Sequence, residues 1–218
     1  MDQEKFSRFQ LIPNWVKNGF LGLLQPFFRI SIALEVNPNM FTTIGFFISF
    51  LSAYFFATGA LRVGGALFIL SGIFDVIDGQ VARATNRATK FGALYDSTLD
   101  RYAEVLIFFG IAYYFIREDL LFASIAACVA LGGSIMVSYV RARAEGLGFS
   151  CKVGLMQRPE RITILGITAL IHEYVFIGGV VFVALLSNFT AIQRIYHIWV
   201  AENGKKSQKL ENLNDWGT

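Results

Sequence analysis

The sequence predicts an all-α integral membrane protein, with six transmembrane helices preceded by an interfacial amphipathic N-terminal helix. Three observations carry that reading. Of the 218 residues, 55% are hydrophobic and only 16% are charged, against about 25% charged in soluble domains. Six apolar stretches are each long enough to span a bilayer, which takes roughly 20 helical residues. The basic residues are divided very unevenly between the two ends of those stretches.

Taken in order, residues 1–10 (MDQEKFSRFQ) are polar and mixed in charge, so no cleavable signal peptide is expected. Residues 11–30 are apolar but interrupted by Pro13, Lys17 and Pro26. They read as a helix lying along the inner interface rather than as an extra crossing. The spans are placed at 38–58, 61–84, 92–116, 119–145, 159–177 and 178–198. Asn37-Pro38 opens the first as a capping residue followed by proline at the first helical position, and Pro159 opens the fifth in the same way. Residues 201–218 are polar and read as a loosely ordered tail. The chain thus divides into a cytoplasmic N-terminus with interfacial helix (1–30), a six-helix domain (31–200) and a cytoplasmic tail (201–218).

With the N-terminus in the cytoplasm, all of the 19 Lys and Arg except Arg62 and Arg117 fall on the inner side. That split follows the positive-inside rule. It predicts a multi-pass protein of the cell's inner (cytoplasmic) membrane, with both termini and the functional site facing the cytoplasm. The net charge of +3 is modest, and no nucleic-acid partner is expected. Cys128 and Cys151 form neither a ligand cluster nor a disulfide framework.

The chemistry is carried by Asp75-x-x-Asp78-Gly79-x-x-Ala82-Arg83 and, eight residues later, Gly92-x-x-x-Asp96-x-x-x-Asp100. Asp75 and Asp78 share one helix face, as do Asp96 and Asp100. A short turn near 85–91 lets the two faces meet. Four converging carboxylates repel one another and hold protons unless cations neutralise them. One solution is a structural ion-pair network using Arg83, Arg87, Lys90 and Arg101. The other is metal: an all-carboxylate set without histidine or cysteine favours Mg2+ or Mn2+ over zinc. Two ions suit four carboxylates and a substrate phosphate, and can clamp a phosphoryl centre. Small residues at 79, 82 and 92 leave room for a nucleotide, and Arg83 can fork onto a phosphate. Glu104 reads as the partner of an arginine such as Arg101 or Arg141. A small cation transporter and a scaffold are the competing classes. Acids placed at helix ends beside glycines and Arg83 favour phosphoryl chemistry over mid-membrane transport.

This motif is similar to the signature of the CDP-alcohol phosphatidyltransferase family, and every fixed position of that signature is present. The likeness extends over about residues 13–200. It implies transfer of the phosphatidyl part of a CDP-linked lipid to an alcohol, with release of CMP. By the same resemblance Asp75, Asp78 and Asp96 are metal ligands. Asp100 completes a second metal site and is the base for the acceptor hydroxyl. Gly79, Ala82, Arg83 and Gly92 line the CMP moiety beside Asp75 and Asp78. Thr42, in NPNMFT, resembles a Pro-x3-Thr element near the nucleotide. A homodimer among membrane lipids is also implied.

The acceptor is encoded elsewhere. Arg141, Arg158 and Arg194 fall on the same membrane side as the aspartates. They could form a pocket for an acceptor carrying its own phosphate, bind lipid headgroups, or only set topology. The pattern SYxxARAExxG…RPER resembles the phosphatidylinositol-phosphate synthase branch and its archaeal-lipid counterparts. That resemblance implies that Arg141, Arg158 or its neighbour Arg161, and Arg194 hold the phosphate of inositol 1-phosphate. Glycerol 3-phosphate is the main rival acceptor, and free inositol a lesser one.

Overall fold

The computed structural model describes residues 37–85 and 87–214, with scattered positions between 19 and 32 and side chains to residue 204. The interfacial helix expected over 11–30 lies almost wholly outside the described residues. Six helices follow from Pro38 onward: α1 (Pro38–Thr58), α2 (Leu61–Ala84), α3 (Lys90–Arg117), α4 (Leu121–Gly146), α5 (Arg158–Ile171) and α6 (Glu173–Asn214). The chain reverses at each connection. α1 packs on α2 and α3, α2 on α5, α3 on α4, and α6 on both α4 and α5, which closes the bundle into a ring.

Local signals set several helix ends. Asn37 Oδ1 accepts from the Asn39 amide at 3.0 Å, and Pro38 takes the first turn. α1 stops at Gly59, whose φ of 86° lies in the left-handed region that favours glycine. Thr89 Oγ1 caps α3 by accepting from the Gly92 amide at 2.9 Å. At the end of the bundle near Gly59, Arg117 donates to the Thr58 carbonyl at 3.3 Å and the Tyr114 hydroxyl donates to Glu173 at 2.9 Å. Above these contacts Phe56, Phe115 and Phe176 form a fully buried aromatic core, with Phe56 stacked on Phe176 at 5.3 Å. Small residues bring the backbones together, as expected of helices that associate by close packing. A Cβ at Gly110 of α3 would run into the Ala53 carbonyl of α1.

Three expectations need correction. Among the described residues only α1, α4 and the Glu173–Gly204 part of α6 are long and apolar enough to cross a membrane, so the six-span assignment does not hold. α5 has 14 residues, about 21 Å of helix against a hydrocarbon core of about 30 Å. α2 carries Arg62, Asp75, Asp78 and Arg83, and α3 carries Lys90, Asp96, Asp100, Arg101, Glu104 and Arg117. The charges that make those two helices interesting are what remove them from the spanning class. Second, the break between the last two helices falls at His172, not after 177. His172 is extended, and its Nδ1 accepts from the Tyr174 amide at 3.3 Å. No glycine or proline marks the position. Third, the expected loose tail continues α6 as helix to Asn214, in keeping with its Lys, Gln, Glu and Leu content.

If the α1–α3 contact sets the bundle, Gly110→Ala is expected to destabilise the protein by about 1–3 kcal/mol. Gly132→Ala, whose Cβ would meet nothing within 4 Å, serves as the control. Thermal unfolding in detergent should show a lowered Tm for the first variant only.

Candidate active site

The carboxylates gather where the end of α2 meets the start of α3. Oxygens of Asp75, Asp78 and Asp96 lie within 4.8 Å of one another. Asp78 is buried, and its Oδ2 accepts from the Thr42 hydroxyl of α1 at 2.7 Å. Asp96 Oδ1 is buried without a hydrogen-bond partner. Asp100 stands one turn farther along α3, outside that trio. The first residue of α5 connects it to the others: Arg158 Nη2 lies 2.6 Å from Asp100 Oδ1 and Nη1 lies 2.5 Å from Asp75 Oδ1. The Nη1 approach is a close charge contact set off the hydrogen-bonding line. A cavity of about 10 Å³, the room of roughly one water, remains among Thr42, Asp75, Asp78, Asp100 and Arg158.

These carboxylates sit outside the three crossing helices, yet burial dominates their electrostatics. Desolvation pushes Asp78 up to about 7 against the opposing Thr42 hydrogen bond. Asp96 rises to about 6, from desolvation and then the Asp75 charge. Asp100 is held well above the usual carboxylate range by burial, although Arg158 pulls the other way. Such a cluster resists ionisation until positive charge arrives. Three convergent carboxylates suit a hard divalent cation, and the all-oxygen donor set is that of Mg2+ or Mn2+.

The remaining sequence candidates are distributed around this centre. The Arg83 guanidinium lies 3.5 Å from where a Cβ at Gly79 would sit, and Ala82 is half-buried on the same helix. A Cβ at Gly92 would press on Thr89 and Asn39 at 3.0 and 3.2 Å. Arg141 is exposed and pairs with Glu145 at 2.9 Å. Arg194 is 2% exposed and donates to the carbonyls of Val153 and Val137, tying the 147–157 connection to α6 and α4. Arg161 is also 2% exposed. Its Nε donates to Glu104 Oε1 at 2.9 Å, Nη2 contacts the same oxygen, and Nη1 donates to the Met156 carbonyl at 3.2 Å.

Glu104 therefore has two arginines, Arg161 and Arg101, the latter at 2.9 Å. Arg101 was legible one turn away, whereas Arg161 stands in for the alternative Arg141. Positive charge close to the aspartates comes from Arg158 and, at 3.8 Å from Asp100, from Arg101. The contacts of Arg158 with Asp75 and Asp100 were missed, because residues 58 and 83 positions apart leave no spacing signal.

The sequence model of the CDP-alcohol phosphatidyltransferase family matches residues 35–199. The chain belongs to that family. This phosphatidyltransferase is a multi-pass membrane enzyme. It is 36% identical over 193 residues to the archaetidylinositol phosphate synthase of Methanothermobacter thermautotrophicus, covering 84% of this chain and 96% of the relative. It is 34% identical over 180 residues to the phosphatidylinositol phosphate synthase of Corynebacterium glutamicum, covering 79% and 82%. The crystal structure of the Mycobacterium tuberculosis phosphatidylinositol phosphate synthase with CDP-DAG bound superposes with a TM-score of 0.73 at 28% identity, covering 80% of this chain and 92% of the other. The same mycobacterial enzyme in complex with manganese and citrate gives a TM-score of 0.71 at 28% identity, covering 80% and 88%.

The buried Glu104 triad yields a stability test. Glu104→Gln leaves Arg161 and Arg101 without their counter-charge, and is expected to cost about 3–5 kcal/mol. Denaturant unfolding of the transferase should show the loss.

Proposed function

We propose that the protein transfers the phosphatidyl group of CDP-diacylglycerol to inositol 1-phosphate, forming phosphatidylinositol phosphate and releasing CMP. One observation carries the acceptor choice: the Arg158 guanidinium stands between Asp75 and Asp100, beside the carboxylate read as the base. An acceptor that brings its own phosphate finds there a forked, permanently charged partner. The relatives named as inositol-phosphate synthases of bacterial and archaeal lipids support the same acceptor class. Arg141 is read as a second, exposed contact for the acceptor phosphate. Buried Arg161 and Arg194 are read as the floor that holds this pocket in shape.

In the proposed reaction the acceptor hydroxyl oxygen attacks the lipid-side phosphorus. Asp100 takes the hydroxyl proton, and the bond from that phosphorus to the CMP oxygen breaks. Thr42 fixes the orientation of Asp78. Gly79, Ala82 and Gly92 leave space for the nucleotide, and Arg83 binds its phosphate. Asp75, Asp78, Asp96 and Asp100 would hold two Mg2+ or Mn2+ ions, which supply neutralisation of the phosphate charge.

We read the site as facing the cytoplasm. Arg83, Arg87, Lys90, Arg141 and Arg143 lie toward the carboxylate end of the bundle, and Arg62 and Arg117 toward the other, an asymmetry that supports this orientation. The family likeness supports a homodimer among membrane lipids.

Purified protein given CDP-diacylglycerol and Mn2+ should release CMP with inositol 1-phosphate and not with free inositol. Asp100→Asn should lower the rate by about 100-fold or more. Product formed from glycerol 3-phosphate alone would refute the acceptor.

A further inference from the structure

We infer that Arg158 is an internal counter-cation of the carboxylate cluster, displaced on metal loading and thereby made available to the acceptor phosphate. The acceptor half of this statement rests on the function proposed above. The starting point is that Asp75 is claimed twice. Its carboxylate belongs to the trio whose oxygens converge within 4.8 Å, and it also lies 2.5 Å from Arg158 Nη1. A divalent ion seated on that trio and a guanidinium at that distance are like charges sharing one carboxylate, so each weakens the hold of the other.

Space leads to the same conclusion. With Arg158 between α2 and α3, the cavity it lines has room for about one water, less than a phosphate fills. On this inference the arginine turns as an acceptor phosphate enters. Its position allows this: Arg158 is the first residue of α5, followed by Pro159 and preceded by the irregular 147–157 connection. A change of side-chain rotamer frees the guanidinium without unwinding the helix.

The contrast with Arg161, three residues on, is instructive. Arg161 is 2% exposed and donates through Nε to Glu104 and through Nη1 to the Met156 carbonyl. The Arg158 side chain is 17% exposed, contacts two carboxylates on different helices, and makes one of those contacts off the hydrogen-bonding line. Arg161 is fastened at both ends of its guanidinium, whereas Arg158 is held only by carboxylates that a metal also needs. Because binding linkage is reciprocal, an anion that draws Arg158 away must tighten metal binding, and metal must tighten binding of the anion. Metal and acceptor phosphate then each favour the binding of the other.

The test is Mn2+ binding to the purified full chain, followed by electron paramagnetic resonance without donor or acceptor. Arg158→Gln should bind Mn2+ about tenfold more tightly than wild type, since a competing charge is gone. Inorganic phosphate should tighten Mn2+ binding to wild type and leave Arg158→Gln unchanged. Arg158→Lys keeps the charge but cannot span both carboxylates. It should fall between the two, and carries the test alone if the glutamine variant does not fold. Mn2+ affinity in Arg158→Gln, or failing that Arg158→Lys, equal to or weaker than wild type overturns the inference. So does an equal phosphate effect in wild type and variant. The metal-only comparison involves no acceptor, so its failure is read separately from failure of inositol 1-phosphate in the CMP assay.

Discussion

Acidic side chains buried at the end of an apolar helix bundle must be given positive charge, and that requirement organises this protein. Removing a carboxylate from water without a partner is expensive enough that the group takes up a proton or finds a cation. Here the demand is met in two layers. The deeper layer is Glu104, closed off by Arg161 and Arg101. The upper layer is the Asp75, Asp78, Asp96 and Asp100 cluster, met by the Arg158 bridge and a looser approach from Arg101. The closed layer supplies rigidity and the incompletely neutralised layer supplies chemistry. Arg101 touches both, since it lies 2.9 Å from Glu104 and 3.8 Å from Asp100.

The same requirement explains the architecture around the site. Helices that carry the acids are too charged to qualify as free-standing crossings, so α2 and α3 depend on the apolar helices packed against them. α1 covers both and contributes the Thr42 hydroxyl to Asp78. α5 is too short to span and instead delivers Arg158 and Arg161 to the two layers from consecutive turns. Its partner α6 is long and apolar, and carries Arg194, which pins the connection leading into α5.

How much of this was legible in the sequence follows from the range of each interaction. α1 and α2 were placed with their observed bounds, and the Asn37-Pro38 signal that opens α1 acts locally. The convergence of the aspartates was legible too, since spacings of three and four residues fix a helix face. The bounds of the last two helices were not, because the break at His172 interrupts apolar sequence without a glycine or proline. Nor was the number of crossing segments: length and the division of the basic residues suggested six, whereas the charge along α2 and α3 and the shortness of α5 leave three among the described residues. The partners of Glu104 and Asp100 on α5 are 57 and 58 residues away. Arg158 and Arg161 looked alike as neighbours in RPER, and only their three-dimensional surroundings separate a locked structural cation from a displaceable one.

Asp75, Asp78 and Asp96 converge within 4.8 Å of one another, a geometry suited to holding a divalent cation. Equilibrium dialysis of the purified protein against Mn2+ tests it most directly, with Asp96→Asn compared to wild type and helical content checked by circular dichroism. Saturable Mn2+ binding is expected of wild type, and its loss in Asp96→Asn with the helices intact. Unchanged Mn2+ binding by folded Asp96→Asn would contradict it.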